Sequence, residues 1–370
     1  MDGKVTVDAH PPLEMAERME DVGVKKANMD GWSMFALAVL AGSFIGLGAD
    51  FFTVVITDSG LGFGVTKLLG GMAFCLGLIL VVVAGAELFT GNNLIVMAWV
   101  AEKLTLGQVM RNWLIVYLGN LVGSLGTVIF TYLTNQWAFS DYHVGATALN
   151  IAVSKVGLSF SAALARGILC NALVCLAVWL TLSGRSVTDK ILAVLFPITA
   201  FVAAGFEHSI ANMYFIPMGL LMRAEPQVVE AAGRVAADLA NLNVQGFLHN
   251  LFAVTTGNIF GGGFLVAVVY WFIYRRPGVL RAEESATASR QAKAPSLAMG
   301  GARGPRLTRF ACAPRSRGWP GNGMGKAIAA PPADQPSEGQ SVWRYRATCT
   351  HSPKKSSAAL SGFRTQLPRS

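Results

Sequence analysis

Two stretches of the chain, residues 68 to 101 and 188 to 221, are apolar for longer than one membrane crossing needs, and each is interrupted near its middle. The first carries Phe89-Thr90-Gly91-Asn92-Asn93, the second Glu207-His208-Ser209 followed by Asn212. About 20 mostly apolar residues cover roughly 30 Å of hydrocarbon. An overlong helix can tilt, but tilt does not call for polar residues at mid-depth. A helix broken inside the membrane accounts for both the length and the interruption. Backbone that is not helical at that depth must be satisfied by protein or by a polar cavity, so the breaks should face a pore.

Four further apolar runs, 34 to 57, 113 to 134, 161 to 182 and 247 to 274, bring the expected spans to six. Composition agrees: 53% of residues are hydrophobic and 14% charged, where about a quarter of a soluble chain is charged. The apolar body of residues 34–274 is preceded by a polar segment, 1–33, with an amphipathic helix expected over 13–24 and an acidic cluster at Glu17, Glu20 and Asp21. That segment lacks the basic then apolar order of a cleaved signal peptide. The formal charge of +9 is a property of residues 275–370, which hold 17 of the 30 basic and 4 of the 21 acidic side chains. Rich in Gly, Ala, Pro, Ser and Arg and without periodicity, this basic low-complexity tail reads as disordered. Cys75, Cys170, Cys175, Cys312 and Cys349 show neither a CxxC pair nor a histidine at metal-ligand spacing, so no metal site is expected.

With the N-terminus inside, eleven Lys or Arg near span ends fall on the inner side and four, Lys67, Lys155, Arg223 and Arg234, on the outer. This places both termini in the cytoplasm. An internal repeat supports the count. Glu87 and Asn92 recur as Glu207 and Asn212, and Gly119-Asn120-Leu121-Val122-Gly123-Ser124 recurs as Gly257-Asn258-Ile259-Phe260-Gly261-Gly262. Three helices repeated after an odd number of crossings are inverted, and inverted repeats with discontinuous helices point to a mid-membrane substrate path.

Apart from His249 at the very start of the last run, His208 is the one histidine inside the expected spans, and ionisable groups there tend to mark ion or proton routes. Glu87 and Glu207 stand where a helix ends, either as acceptors for free backbone donors or as a proton relay. Asn171 and Asn258 have an ordinary role as interhelical hydrogen bonders. Gly261, Gly262 and Gly263 permit close helix packing, and Arg166 snorkels to the membrane surface.

The run Phe206-Glu207-His208-Ser209-Ile210-Ala211-Asn212-Met213 closely resembles the formate/nitrite transporter family. Glu87-Leu88-Phe89-Thr90-Gly91-Asn92, Gly167-Ile168-Leu169-Cys170-Asn171 and Gly257-Asn258-Ile259 share that resemblance, which extends over about residues 13 to 276. It implies an all-α membrane protein with an aquaporin-like inverted 3+3 repeat of six helices, the second and fifth broken. It further implies a homopentamer with one pore per subunit in the bacterial cytoplasmic membrane. On matching positions, His208 becomes the central pore histidine with Thr90 as its hydrogen-bonding partner. Phe74, Leu78, Phe89 and Phe201 form two apolar constrictions, and Lys155, in the loop before the fourth span, draws anions into a vestibule. Asn171 and Asn258 line the route beyond. Without the resemblance, the four apolar residues would read as packing and Lys155 as a solvated loop side chain.

The function implied is passive or proton-coupled transport of formate, with protons and membrane lipid as further partners, His208 supplying or relaying the proton, and no cofactor or covalent chemistry. Tyr214-Phe215-Ile216-Pro217-Met218-Gly219 resembles the formate branch, while nitrite and hydrosulfide are alternative substrates within the family. A membrane-embedded enzyme is disfavoured because adjacent helix residues such as Glu207 and His208 point about 100° apart. Trp319, Trp343 and Tyr345 interleave with basic residues in the tail without a recognisable nucleic-acid-binding fold, so no nucleic-acid partner is expected.

Overall fold

Helix α1 (Pro12–Ala27) lies across the start of the bundle and buries Met15, Ala16 and Met19 together with Glu20. Its acidic cluster is answered by bases. Glu20 meets Lys103 at 2.8 Å and Arg275 at 2.8 Å, and Glu17 meets Arg275 at 2.7 Å. The computed structural model describes residues 9–278. The tail expected to be disordered begins at 275, yet Arg275 is ion-paired to α1 and 276–278 are helical; the rest of that expectation, over 279–370, falls outside the described residues.

The rest is helical, with no strand among the described residues: α2 (Gly31–Ile56), α3 (Phe63–Ala84), a 3-10 turn (Gly91–Ile95) running into α4 (Val96–Val100), α5 (Leu106–Leu133), α6 (His143–Val156) and α7 (Phe160–Ser183). They are followed by α8 (Val187–Ala203), α9 (Ser209–Met222), the short α10 (Pro226–Ala231), α11 (Val244–Ile259) and, after a π-helical stretch over Phe260–Val268, α12 (Val269–Tyr274). Among the described residues, five helical segments are long and apolar enough to cross a membrane: Gly31–Ile56, Phe63–Ala84, Leu106–Leu133, Phe160–Ser183 and Val244–Gly278.

Caps set several boundaries. The Asp30 carboxylate accepts from the Ser33 N–H at 2.9 Å, starting α2 three residues before the apolar run begins. Thr105 and Gln108 form a reciprocal capping box, so α5 starts at Leu106, ahead of the expected 113. Ser186 and Asp189 do the same for α8.

Close packing follows from small residues. α2 pairs with α5 and α7 with α11. At both crossings the backbones nearly touch: a Cβ on Gly123 would collide with the Val39 carbonyl, and one on Gly257 with the Leu164 carbonyl. Small residues at such crossings let helices approach where lipid offers no hydrophobic driving force. α3 packs on α8, and α9 on α5 and α6, which gathers the two non-helical stretches at the centre.

Candidate functional site

The chain leaves helix twice, and each exit is made the same way. Gly85 after α3 and Gly205 after α8 adopt left-handed φ values of 79° and 70°, which a Cβ disfavours. Ala86 N–H then bonds Val81 O at 2.9 Å and Phe206 N–H bonds Phe201 O at 3.0 Å, closing the helix ends. Six residues of non-helical chain follow the first exit before Gly91, and five follow Ala203 before Ser209.

Buried backbone groups in such stretches need partners, and two asparagines from opposite crossings supply them. Asn120 on α5 donates to Ala38 O at 2.7 Å and Glu87 O at 2.9 Å, and accepts from Phe89 N–H at 2.9 Å. Asn258 on α11 donates to Gly167 O at 2.8 Å and Glu207 O at 3.0 Å, and accepts from Ser209 N–H at 2.9 Å.

The carboxylates are duplicated too, and they do not serve the free backbone donors expected from their position. Glu87 accepts from Lys26 Nζ and Asn92 Nδ2, both at 2.7 Å; Glu207 accepts from Lys155 Nζ at 3.1 Å to each oxygen and from Asn212 Nδ2 at 2.7 Å. Asn92 donates onward to Asn112 Oδ1 at 3.0 Å, whose amide reaches Lys26 O at 3.3 Å. Asn212 donates to Asn250 Oδ1 at 2.7 Å, whose amide reaches Lys155 O at 2.9 Å. Every member of one Lys–Glu–Asn–Asn circuit has its counterpart in the other. The side-chain donors are the reason the expectation failed: asparagines took the backbone and left the carboxylates for the lysines.

Lys155 is not in a loop. It sits in the last turn of α6, its side chain 13% exposed, with Nζ 5.1 Å from the Phe215 ring centroid. The helix continues to Val156, and the loop that precedes α7 begins only at Gly157.

His208 and Thr90 meet between the two stretches. Thr90 Oγ1 is 3.0 Å from His208 Nε2, both residues buried. His208 is also the N-cap of α9, its Nδ1 accepting the Ala211 N–H at 3.0 Å. A nitrogen that accepts carries no proton, so the other, Nε2, bears the hydrogen and donates to Thr90. The ring therefore offers one N–H and has no second free nitrogen for a relay. The sequence expectation that His208 passes a proton through itself meets this obstacle in the backbone of α9.

Apolar residues close around the pair. Phe201 stacks on the His208 ring with centroids 6.0 Å apart and meets Phe74 edge-on at 5.7 Å. Phe89 is held edge-on by Tyr117 at 4.9 Å and Trp113 at 6.0 Å. On one side lies a cavity of about 380 Å³ whose lining includes Lys67, Phe74, Lys155, Arg166, Phe201, Glu207 and His208. On the other lies one of about 340 Å³ whose lining includes Lys26, Leu78, Glu87, Leu88 and Asn92. Phe74 and Leu78, one turn apart on α3, thus face different cavities across a narrow apolar wall.

Asn171 and Asn258 line neither cavity. Asn171 Nδ2 donates to Asn258 O at 2.7 Å, Asn93 Oδ1 at 2.9 Å and Thr90 O at 3.2 Å. Cys175 Sγ reaches the same Thr90 carbonyl at 3.3 Å. The Asn171 amide nitrogen thus serves the frame that aims Thr90, and the Asn258 amide serves the Glu207–Ser209 stretch. Lys26, Asn112 and Asn250 belong to the circuits and escaped the sequence reading as site residues, while Asn120 entered it only as part of the repeat. Extending the Gly119/Gly257 repeat backwards at the same offset aligns Asn112 with Asn250 and would have found that pair. Among the described residues no group of three or more His, Cys, Asp or Glu side chains is placed to hold a metal ion.

The sequence profile described as "Formate/nitrite transporter" matches residues 13–272. The chain is 45% identical over 269 residues to "Formate channel FocA" of Escherichia coli strain K12, covering 72% of this chain and 94% of that protein. It is 39% identical to the Haemophilus influenzae protein of the same name over 269 residues, covering 72% and 95%. Among solved structures, "Pentameric formate channel with formate bound" superposes with a TM-score of 0.62 at 44% identity, covering 66% of this chain and 97% of that one. A second, "FNT family ion channel", gives 0.60 at 26% identity, covering 70% and 98%.

Proposed function

The chain belongs to the formate/nitrite transporter family, and on that premise we propose that it conducts formate across a bacterial cytoplasmic membrane as a homopentamer with one pore per subunit. Each protomer is an aquaporin-like inverted 3+3 repeat in which α3 with α4, and α8 with α9, are the two broken spans, and both termini are cytoplasmic. The duplicated asparagine and Lys–Glu circuits support that symmetry, and the relatives named as formate channels support the substrate. The route runs from the cavity beside Lys155 through the neck at Phe74, Phe201, Phe89 and Leu78 to the cavity beside Lys26.

The observation that carries the reading is the buried His208–Thr90 hydrogen bond inside an otherwise apolar neck. A bare anion is stopped there, because burying an unpaired carboxylate costs tens of kcal/mol in the idealised limit. Protonating it first at pH 7 costs on the order of 4 to 5 kcal/mol, about 3 units at about 1.4 kcal/mol each. Formate is drawn in near Lys155, takes a proton at the vestibule, and crosses as the acid. The His208 Nε2–H is given to Thr90 Oγ1, which leaves the Thr90 hydroxyl hydrogen free to be donated to the acid.

Purified protein in liposomes should pass formate in both directions, faster as pH falls, and His208→Phe should lose the pH-dependent flux. Formate flux no greater than in protein-free vesicles would overturn the substrate assignment.

A further inference from the structure

The two cavities differ in a way the duplicated frame does not require. Glu87 N–H donates to Leu37 O at 3.2 Å and Glu207 N–H donates to Arg166 O at 3.3 Å. Leu37 and Arg166 therefore do the same backbone work, and a leucine suffices for it. Counted back equally from the left-handed glycines Gly85 and Gly205, Lys67 on α3 stands where α8 has Val187. Both cationic positions are apolar in the other half, so neither charge is a condition of folding the frame.

Both side chains line the same cavity as Lys155 and Glu207. Its lining carries three cations, Lys67, Lys155 and Arg166, against one carboxylate, Glu207; the other has Lys25 and Lys26 against Glu87. Lys155 is already committed to Glu207 and sits over the Phe215 ring. Among the described residues, Lys67 and Arg166 have no carboxylate within ion-pair distance. Lys67 Nζ lies 5.7 Å from the centroid of Phe63 on its own helix, and Arg166 reaches only the Gly205 carbonyl, at 3.4 Å. That distance exceeds the usual range for such a bond.

We propose that Lys67 and Arg166 form an anion-capture subsite for small monovalent anions at the mouth of this cavity, loading it ahead of the Lys155–Glu207 pair. A cavity lined by one sign of charge and walled by low-dielectric material raises the local concentration of the opposite ion. Lys67 supplies a point charge, while the planar guanidinium of Arg166 matches a carboxylate with two parallel N–H donors. The subsite thus favours carboxylates over spherical anions without excluding the latter. Lys155, neutralised by Glu207, is left to receive the anion at the neck. The choice of formate as the transported probe rests on the function proposed above; the subsite itself does not.

The test uses the intact protein with Lys67→Gln, Arg166→Gln, Arg166→Lys and the Lys67→Gln/Arg166→Gln pair. In proteoliposomes at low ionic strength, each Gln variant should raise the half-saturating formate concentration from this side about 3-fold, the size of one unit charge acting through several ångströms of water. The pair should raise it about tenfold with the saturating rate unchanged, and Arg166→Lys should recover most of the loss. The differences should collapse above roughly 1 M salt, where screening reaches within about 3 Å. Crystals soaked in bromide should show anomalous density between Lys67 and Arg166 that is absent in the pair. Half-saturation within twofold of wild type in the pair, or bromide bound elsewhere in the cavity, would overturn the proposal. Wild-type vesicles without formate flux would instead sink the substrate assignment, and the bromide result would still decide the subsite.

Discussion

Thr90 Oγ1 stands 3.0 Å from His208 Nε2, joining two residues 118 positions apart. Thr90 is aimed by another helix, α7, and His208 by the first turn of α9, which it caps. Asn171 and Cys175 hold the Thr90 carbonyl, and the Ala211 N–H holds His208 Nδ1. Replacing Thr90 with Val keeps the shape and leaves a buried N–H without a partner, a loss of about 1 to 3 kcal/mol. Formate flux in proteoliposomes should fall about tenfold or more, while Thr90→Ser should retain most of it. Equal flux in Thr90→Val and wild type would remove the hydroxyl from the route.

Asn120 and Asn258 each bond three backbone groups, two at a helix break and one on a neighbouring helix. Asn120→Leu and Asn258→Leu should each destabilise the protein by about 3 kcal/mol or more, since several buried polar groups are orphaned together. Thermal unfolding in detergent reads this directly, and an unchanged melting temperature in either variant would contradict the anchoring role.

Removing Lys155 alone strands the Glu207 carboxylate, whose side chain is 5% exposed. Breaking one partner of a buried pair costs about 3 to 5 kcal/mol, whereas removing both can be nearly neutral. Lys155→Met should therefore be less stable than Lys155→Met/Glu207→Gln. A double variant at least as unstable as the single would show that the pair's charge is unimportant to the fold.

Gly123 and Gly126 share a helix and differ in surroundings. A Cβ at Gly123 meets the Val39 carbonyl, while at Gly126 nothing lies within 4 Å. Gly123→Ala should force α2 and α5 apart and lower the yield of folded protein sharply. Gly126→Ala should be neutral or stabilising by about 0.5 to 1 kcal/mol through helix propensity. Comparable yields for the two would argue against backbone contact at this crossing.

Asp58, in the loop between α2 and α3, bonds Ser140 Oγ and His143 Nδ1, each at 2.7 Å. The Ser140 hydroxyl first, and His143 second, hold its carboxyl below the usual carboxylate range. The folded-state value is depressed, so the stabilisation is present above the unfolded value of about 3.9 and disappears as pH falls through the folded value. The melting-temperature gap between wild type and Asp58→Asn should be constant near neutrality and close below about pH 4. A gap independent of pH would detach Asp58 from this tether.

What was legible in the sequence is what period and interruption encode. The apolar runs around residues 34–57 and 161–182 reappear as α2 and α7 within a few residues, because length and hydropathy fix a helix in lipid. The interruptions marked Thr90 and His208 because polar groups stand out against an apolar background. Lys26 did not stand out: it lies in a charged amphipathic helix, where one lysine looks like another until Glu87 is found 2.7 Å away. Asn112 hid for another reason: it stands just ahead of the apolar run that begins at 113, where a polar residue reads as the end of a span, although α5 begins at Leu106. Lys155 was misplaced because a short helix of mixed polarity, ending in Gly157, reads as loop when no periodicity extends beyond it.

The hydrogen bond from Ala211 to His208 Nδ1 has a bioenergetic consequence. A ring whose one nitrogen is committed to a backbone donor cannot take a proton in at that side and release it at the other, so on the route proposed above His208 would be no wire for bare protons. On that route a proton would cross only as part of the acid it is bonded to, and the proton-motive force would be drawn on in proportion to cargo moved. Without formate, the apolar neck of the proposed route would not short-circuit the membrane.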